Sequence, residues 1–349
     1  MTETEITASS EVTESHGGTK KRRRTEDRFE GRREATRGLP CRPTRRTRAA
    51  PCVFVASLLR VRPCLQVAIA ALLLILPLQA ASPSSFVWKA TAKGTAVYLA
   101  GSIHMLSPDF YPLNPVFDRA FTDSDLLVEE VDFAEMTAPE VQIQALAKAM
   151  LPSGQTLDKV LSPATLAMVN KAAAASGAPV EALQRLKPWM IALTLEGLTL
   201  TKAGFDPDLG LDKHFYDRAR ADGKNVQALE TVAYQIARLD EMTLEQQDRM
   251  LAQSLKELNT EQASVTKLTG AWKDGDAAGV ERIVLSDLKA EPALYERLLV
   301  ERNKNWIPKI EALFARKGRA FVLVGAAHLV GPDGLIAQLK SRGYAIEQL

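Results

Sequence analysis

Two histidines of this chain stand in near copies of one segment. The first copy, 96–109, contains Gly101-Ser-Ile-His104, and the second, 320–333, contains Gly325-Ala-Ala-His328. In each copy an apolar run is followed by Gly-x-x-His and then by Pro-Asp. A metal site or an acid–base pair needs two imidazoles that rigid elements deliver into one cleft. The repeat therefore predicts that His104 and His328 act at the same site.

A carboxylate would complete such a site, because two histidines and one carboxylate hold a divalent metal and leave positions open for water and substrate. Glu130 lies at the end of the apolar run 126–131 and is the best-placed acid, while Glu129 is the alternative if the strand register differs by one residue. We therefore predict His104, His328 and Glu130 as metal ligands, with Mn, Co or Zn as the metal. If Glu130 is not a ligand, it becomes the general base. Alternatively, each histidine only satisfies a backbone group in a tight turn.

Other polar residues are weaker candidates for the site. We predict that Arg302 and Asn303 supply a fixed cation and an amide donor for a substrate carboxylate or an oxyanion. Asp212 either caps a helix or reaches the site. Glu230 lies at a strand end, and the sequence does not decide whether it belongs to the site. His214 lies between apolar positions of a predicted helix, which favours a structural role.

Each Gly-x-x-His segment is predicted to end a strand. The first unit begins with a strand pair that turns at Lys93-Gly94, and the second ends in a helix that Asp333 caps and Gly343 terminates, followed by a strand over 344–348. Two strand–helix–strand units favour parallel pairs with right-handed crossovers, and ligands bind beyond the carboxyl ends of such strands. Both histidines lie at that edge.

The segment between the units, about 137–317, is mostly helical by its apolar spacing, with one short strand over 225–229. The predicted helices cover 164–175, 189–200, 244–258 and 294–314. The fold class is therefore α/β, with a central mixed or parallel sheet built from the two units and a large helical insertion between them. Residues 82–349 are expected to form a single domain.

The start of the chain has a different character. Residues 1–62 hold 15 Lys and Arg against 8 Asp and Glu, and they are too poor in apolar residues to form a core, so we expect a disordered Arg-rich leader. Residues 63–81 contain an apolar run followed by small residues, which is typical of a signal peptide. We expect a periplasmic or secreted protein whose true translation start lies further downstream. A membrane anchor through an uncleaved 64–80 segment is the alternative.

Composition and missing motifs exclude several classes of function. Cys41, Cys52 and Cys64 all precede the expected cleavage point, so the mature chain has no thiol for catalysis or zinc binding. The remainder of the chain is mildly acidic, which argues against a nucleic-acid partner. The sequence also lacks the Gly-x-Ser-x-Gly elbow, the P-loop and His-Glu-x-x-His.

From about Phe86 to Leu349 the chain resembles the TraB/GumN family, and more distantly the Tiki proteases and the erythromycin-esterase and ChaN-like folds. The resemblance rests on both Gly-x-x-His segments and on Leu127-Val-Glu-Glu130-Val-Asp132, Gly210-Leu-Asp212, Leu229-Glu230-Thr231, Ala271-Trp272, Gly275-Asp276, Arg302-Asn303 and Trp306. In Tiki-like members two Gly-x-x-His motifs and a glutamate form a metal-dependent protease site, which implicates His104, Glu130 and His328. The long Arg-rich leader and the lack of a membrane segment after the domain depart from membrane-tethered members.

The resulting expectation is an extracytoplasmic, metal-dependent hydrolase that cleaves peptide or amide bonds of a peptide or small-molecule substrate with a metal-activated water. One alternative is a non-catalytic protein that binds a peptide or small ligand in the same cleft. Metal-free, esterase-like chemistry with a histidine as base is a third possibility. No stable membrane span is expected after signal cleavage.

Overall fold

The computed structural model describes residues 84–258 and 261–349, which belong to one compact unit. The predicted leader (1–62) and signal peptide (63–81) lie outside these residues. Over the described ranges, no helix combines the length and the apolar character needed to cross a membrane.

A six-stranded mixed sheet forms the centre of the fold, and helices cover both of its faces. The strands are β1 (Val87–Ala92), β2 (Thr95–Ser102), β3 (Leu126–Glu129), β4 (Asn225–Ala228), β5 (Ala320–Gly325) and β6 (Ala345–Gln348). Their order across the sheet is β4-β3-β5-β2-β1-β6. The four strands from β4 to β2 are parallel, while β1 is antiparallel to both β2 and β6. The predicted α/β class with a central mixed sheet is confirmed.

The strand order corrects the expectation that the strands of each unit pair with each other. β5 lies between β2 and β3, and β6 pairs with β1 at the far edge. Every residue of β5 is buried, which suits a central position, whereas β6 alternates between exposed and half-buried residues, as an edge strand does. The two Gly-x-x-His copies consequently run side by side, with Gly101 opposite Val324 and Ser102 opposite Gly325.

The predicted turn between β1 and β2 is present. Ala92 pairs with Thr95, so Lys93 and Gly94 form a two-residue loop, and both have positive φ angles, 51° and 79°. Two-residue hairpin loops of this type require positive φ at both positions, which explains the glycine.

Fifteen α-helices lie in the described residues. The first three are α1 (Pro115–Thr122), α2 (Phe133–Thr137) and α3 (Pro139–Ala149). They are followed by α4 (Leu157–Val160), α5 (Pro163–Ser176), α6 (Val180–Leu183), α7 (Pro188–Lys202), α8 (Leu211–Ala221), α9 (Val232–Asp240), α10 (Leu244–Leu258), α11 (Glu261–Lys273), α12 (Ala277–Ala290), α13 (Pro292–Tyr295), α14 (Glu301–Leu313) and α15 (Leu335–Ser341). The predicted helices match α5, α7 and α10 closely, and the predicted helix 294–314 is interrupted by a π-helical turn, Glu296–Val300.

The start of α15 differs from the prediction. Its N-terminal flanking residue is Gly334, which provides no side-chain cap. The Asp333 carboxylate instead accepts a hydrogen bond from the Tyr295 hydroxyl at 2.8 Å. The predicted capping role of Asp333 is therefore wrong, because a partner distant in sequence uses its carboxylate.

The buried apolar side chains form two separate clusters. The larger one surrounds the sheet and includes β1–β3, β5 and the helices against them. The smaller one lies within the helical insertion and includes Leu157, Val169, Ile191, Leu195 and Leu251. The insertion therefore has a hydrophobic core of its own, apart from the sheet that carries the two histidines.

Candidate functional site

Three neighbouring parallel strands deliver the predicted site residues to one edge of the sheet. His104 follows β2, Glu130 follows β3, and His328 ends a short 3₁₀ turn after β5. A Cβ atom placed on Gly325 would lie 3.2 Å from Oε1 of Glu130, 3.6 Å from Nε2 of His104 and 3.7 Å from Cδ2 of His328. The three side chains thus converge around one point, as their places at the strand ends predicted.

Glycine at two further positions allows the close packing that fixes His104. A Cβ on Gly210 would lie 2.1 Å from the carbonyl oxygen of His104, so only glycine fits here. A Cβ on Gly101 would meet the Phe86 ring at 2.4 Å, and the Gly101 carbonyl accepts a hydrogen bond from the indole of Trp272. The family-like segments Gly210-Leu-Asp212 and Ala271-Trp272 therefore support the loop that carries His104.

His104 is the accessible member of the site, since 67% of its side chain is exposed. Its Nδ1 lies 2.7 Å from Oδ2 of Asp212, at the start of α8. An imidazole that donates its Nδ1 proton to a carboxylate is held in one orientation and leaves Nε2 open. The Asp212 carboxylate raises the pKa of His104 to about 9. Of the two roles left open for Asp212, contact with the site is the one observed.

Glu130 is buried, with 8% of its surface exposed, and both of its oxygens are bonded. Oε1 accepts from the backbone N–H of Gly325 at 2.7 Å, and Oε2 accepts from Nη2 of Arg302 at 2.5 Å and from Nε2 of Gln235 at 3.0 Å. Burial acts to raise the pKa of Glu130, but the Arg302 guanidinium and the hydrogen bond from the Gly325 N–H hold it below its ordinary value. The carboxylate is therefore ionised at neutral pH.

His328 has surroundings opposite to those of His104. It is buried, and its Nδ1 lies 2.7 Å from Oδ1 of Asn303 while its Nε2 lies 3.1 Å from Nη1 of Arg302. Since Oδ1 can only accept, Nδ1 carries the proton, and Nε2 accepts from the guanidinium. Burial lowers the pKa of His328 to about 3, so the ring is neutral.

Asn303 is fully buried behind His328. Besides accepting from Nδ1 of His328, its amide donates to the carbonyl oxygens of His328 and Asp333 at 3.2 and 2.9 Å. These bonds orient the imidazole and hold the loop after β5. Asn303 thus contacts the site through His328, whereas the sequence predicted a direct amide donor for the substrate.

Arg302 forms the largest polar network of the site. Nε donates a hydrogen bond to Oε1 of Glu230 at 2.9 Å, Nη2 lies at an ion-pair distance of 2.7 Å from the same oxygen, and Nη2 donates to Oε2 of Glu130. Nη1 donates to the carbonyl oxygen of Leu298 at 3.2 Å and to Nε2 of His328. The guanidinium thus makes four hydrogen bonds and one further ion-pair contact within the protein. The predicted cation is present, but all three of its nitrogens already donate hydrogen bonds to protein groups.

Glu230 and Glu129 have contrasting positions. Glu230, whose role the sequence did not decide, belongs to the Arg302 network. Its Oε2 also accepts from the indole N–H of Trp306 at 2.8 Å. Glu129 is 2% exposed, and neither of its oxygens has a hydrogen-bond partner. Burial, then the charges of Asp212 and Asp132, raise the pKa of Glu129 to about 9. Glu130, not Glu129, therefore has its carboxylate at the point of convergence.

His214 lies outside this constellation. Its ring packs at 5.4 Å from the Tyr111 ring and at 4.9 Å from the Phe215 ring. Burial lowers its pKa, which fits a half-buried aromatic neighbour. These contacts agree with the structural role predicted for it.

The arrangement of donors does not fit a divalent metal, although the predicted ligands are close together. Nε2 of His328 and Oε1 of Glu130 are 4.0 Å apart, whereas two ligands with bonds of about 2.1 Å in a tetrahedral site are about 3.4 Å apart. Arg302, moreover, already occupies Nε2 of His328, and Arg302 and Gln235 together occupy Oε2 of Glu130, so a metal would have to displace these bonds. In residues 84–258 and 261–349, no group of three or more His, Cys, Asp or Glu side chains is placed so as to hold a metal ion.

Sequence reasoning did not identify Gln235, which bonds Glu130 from the first turns of α9. Its position soon after the end of β4 was the available signal, because residues that follow parallel strands reach the same edge.

Comparison with known proteins places residues 86–348 within the model of the TraB/PrgY/gumN family. The chain is 27% identical over 246 residues to the uncharacterized protein YbaP of Escherichia coli strain K12, and equally to YbaP of Shigella flexneri. The aligned region covers 70% of this chain and 87% of each relative. No solved structure gives a significant match.

Proposed function

From the premise that the chain belongs to the TraB/PrgY/gumN family, we propose that it is a hydrolase of peptide, amide or ester bonds. The observation that carries this proposal is the convergence of His104, Glu130 and His328 around Gly325. An accessible imidazole beside an ionised, buried carboxylate is suited to moving a proton to and from a bound substrate. The neutral, buried His328 fixes the geometry on the opposite side.

His104 is the proton-transfer group in this proposal. Asp212 holds its Nδ1, so Nε2 faces the pocket and takes a proton from the attacking water. The raised pKa makes Nε2 a strong base once it has lost its proton. Glu130 is bonded through both oxygens, and its negative charge stabilises the imidazolium that forms.

A metal-dependent form of the same reaction follows from the sequence. His104, His328 and Glu130 would hold Mn, Co or Zn, which would supply a bound water of lowered pKa. This form requires Arg302 to leave Nε2 of His328 and Oε2 of Glu130, where it is bonded at present. Assays on chelator-treated protein, with and without each metal, separate the two forms.

The proposal is tested with peptide and ester substrate libraries and two site variants, His104→Gln and Glu130→Gln. We expect His104→Gln to lower kcat/KM by about 100-fold or more, the usual loss when a general acid–base group is removed. Glu130→Gln should also lower kcat/KM, because it removes the negative charge that stabilises the imidazolium. His214→Gln is the matched control, because it changes the same residue type outside the site, and its activity should stay within a few-fold of wild type. Full activity of His104→Gln would contradict the proposal. Binding of a peptide without turnover would favour the alternative, a ligand-binding protein that uses the same cleft.

We further propose that the protein works outside the cytoplasm, in the periplasm or after secretion. The support is the apolar run within 63–81, followed by small residues suited to signal-peptide cleavage. N-terminal sequencing of the protein recovered from the exported fraction tests this, with a first residue near Ala81 or Ser82 expected. Recovery of an intact 64–80 segment in the membrane fraction would instead support the anchored form.

A further inference from the structure

The positive charge at the centre of the site belongs to Arg302. Its guanidinium lies between the carboxylates of Glu130 and Glu230, which are 2.5 and 2.7 Å from Nη2. The two segments that carry these carboxylates lie side by side in the fold, since the Glu230 N–H donates to the Glu130 carbonyl oxygen at 2.8 Å. Both acids and the arginine are at most 9% exposed. Two buried negative charges therefore share one buried cation, which no accessible pH can deprotonate.

This cation uses the lone pairs that a divalent metal would need. Nη1 takes the Nε2 lone pair of His328, and Nη2 takes Oε2 of Glu130. A metal bound by His328 and Glu130 would have to displace these bonds and would bring two positive charges close to the guanidinium. Of the two histidines among the predicted ligands, only His104 has an inward-facing nitrogen free of such a contact.

The guanidinium is also fixed from behind. Glu230 accepts a hydrogen bond from Nε and lies at ion-pair distance from Nη2, and its second oxygen accepts from the indole of Trp306. The Trp306 ring lies 4.8 Å from Cζ of Arg302 and 4.5 Å from the His328 ring, so it packs against both. With its Nε edge bound to Glu230, Arg302 can present only its two Nη groups to Glu130 and His328.

We infer that Arg302 is the resident cation of this site, standing where the sequence predicts a divalent metal, and that Glu230 is the positioning residue that keeps it there. This inference deepens the proposed function, on which it rests for the location of the site. It implies that Glu130 and His328 are held by a permanent protein charge, so the hydrolysis needs no added metal.

Calorimetric titration of the full-length protein with Zn²⁺ and Mn²⁺, each alone and after chelator treatment, tests this inference. We expect no one-to-one binding that depends on His328 in the wild type. Arg302→Met leaves two carboxylates and a neutral imidazole without their cation, so it should gain one equivalent of metal, at least about tenfold tighter than wild type. Adding His328→Ala to that variant should abolish the gain.

Two further variants sharpen the result. Arg316→Met removes an equal charge from an exposed pair with Asp125 and should not gain metal. Glu230→Gln keeps the shape of the side chain but loosens the guanidinium, so it should gain weaker, His328-dependent metal binding. Unchanged metal affinity in Glu230→Gln would remove its positioning role.

One equivalent of metal in the wild type, lost in His328→Ala or Glu130→Gln, would overturn the inference even if Arg302→Met fails to fold. Absence of metal binding in a folded Arg302→Met would also overturn it, because the guanidinium would then occupy no metal position. These titrations need no substrate. Failure to find hydrolysis would therefore count against the proposed function without deciding this point.

Discussion

His104 and His328 share a sequence pattern but differ in protonation, exposure and partners. Asp212 makes His104 an accessible, easily protonated imidazole, whereas burial keeps His328 neutral. The pattern predicted where the two rings lie, because an apolar run followed by Gly-x-x-His indicates the end of a strand. The pattern could not predict the protonation of the two rings or their hydrogen-bond partners. Both depend on Asp212, Asn303 and Arg302, which are 25 or more positions away in the chain.

Asp212→Asn should shift the pH dependence of the site. Loss of the carboxylate removes the main cause of the raised pKa of His104, which should fall from about 9 towards its ordinary value near 6.5. If His104 is the base, hydrolysis by the wild type rises with pH up to about 9, and this rise moves to lower pH in the variant. NMR titration of the His104 ring, with His214 as internal control, measures the shift. An unchanged titration would contradict the role given to Asp212.

His328 should make the protein lose stability on acidification. Its pKa in the folded state, about 3, lies below the ordinary 6.5, so the unfolded chain takes up the proton first. The contribution of the neutral His328 ring to stability is complete above pH 6.5. It is lost as the pH falls from 6.5 towards 3, and the free energy of unfolding then drops by up to about 1.4 kcal/mol per pH unit. His328→Gln should flatten this slope in urea unfolding at pH 4.5–7. An equally steep slope in the variant would refute the assignment to His328.

At the scale of elements, the carboxyl ends of β2, β3 and β5 determine which side chains meet. The sequence predicted these strands because their residues form apolar runs, and all of β5 and nearly all of β2 are buried. It could not predict that β5 inserts between the two strands of the first unit, since pairing between distant strands leaves no local pattern. The side-by-side placement of the two copies was therefore visible only in the sheet.

Gly325→Ala tests the point where the three side chains meet. The added methyl would lie 3.2–3.7 Å from Glu130, His104 and His328, close enough to fill the space without a backbone collision. We expect activity to fall at least about tenfold, because substrate must approach this point, while the free energy of unfolding changes by less than about 1 kcal/mol. Gly197→Ala in α7, where nothing lies within 4 Å, is the control and should keep full activity. Normal activity in Gly325→Ala would place the reaction elsewhere.

At the scale of the whole molecule, one hydrophobic cluster packs around the sheet and a second one packs within the helical insertion. The sequence predicted the insertion from helical spacing alone, and three of its helices, α5, α7 and α10, lie within two residues of the predicted bounds. That the insertion would have its own core could not be predicted, because spacing identifies an apolar face but not the helix it packs against.

Leu195→Ala should destabilise the insertion and leave the chemistry intact. Leu195 is fully buried in the smaller cluster, and truncation of a buried leucine costs about 2–5 kcal/mol. Denaturant unfolding should show this loss, while kcat/KM under native conditions should stay close to wild type. Leu198→Ala on the same helix is the control, because that side chain is 38% exposed. A comparable loss of activity and stability in Leu195→Ala would show that the two clusters are not independent.

The pairing of β1 with β6 also has a consequence for the order of events during synthesis. Trp88 lies opposite Gln348, and the Ser85 N–H donates to the Leu349 carbonyl oxygen. The first strand of the sheet therefore cannot gain its second neighbour until nearly all of the described chain has left the ribosome. Contacts of such long sequence separation form slowly. The sheet should therefore stay incomplete until translation is almost finished.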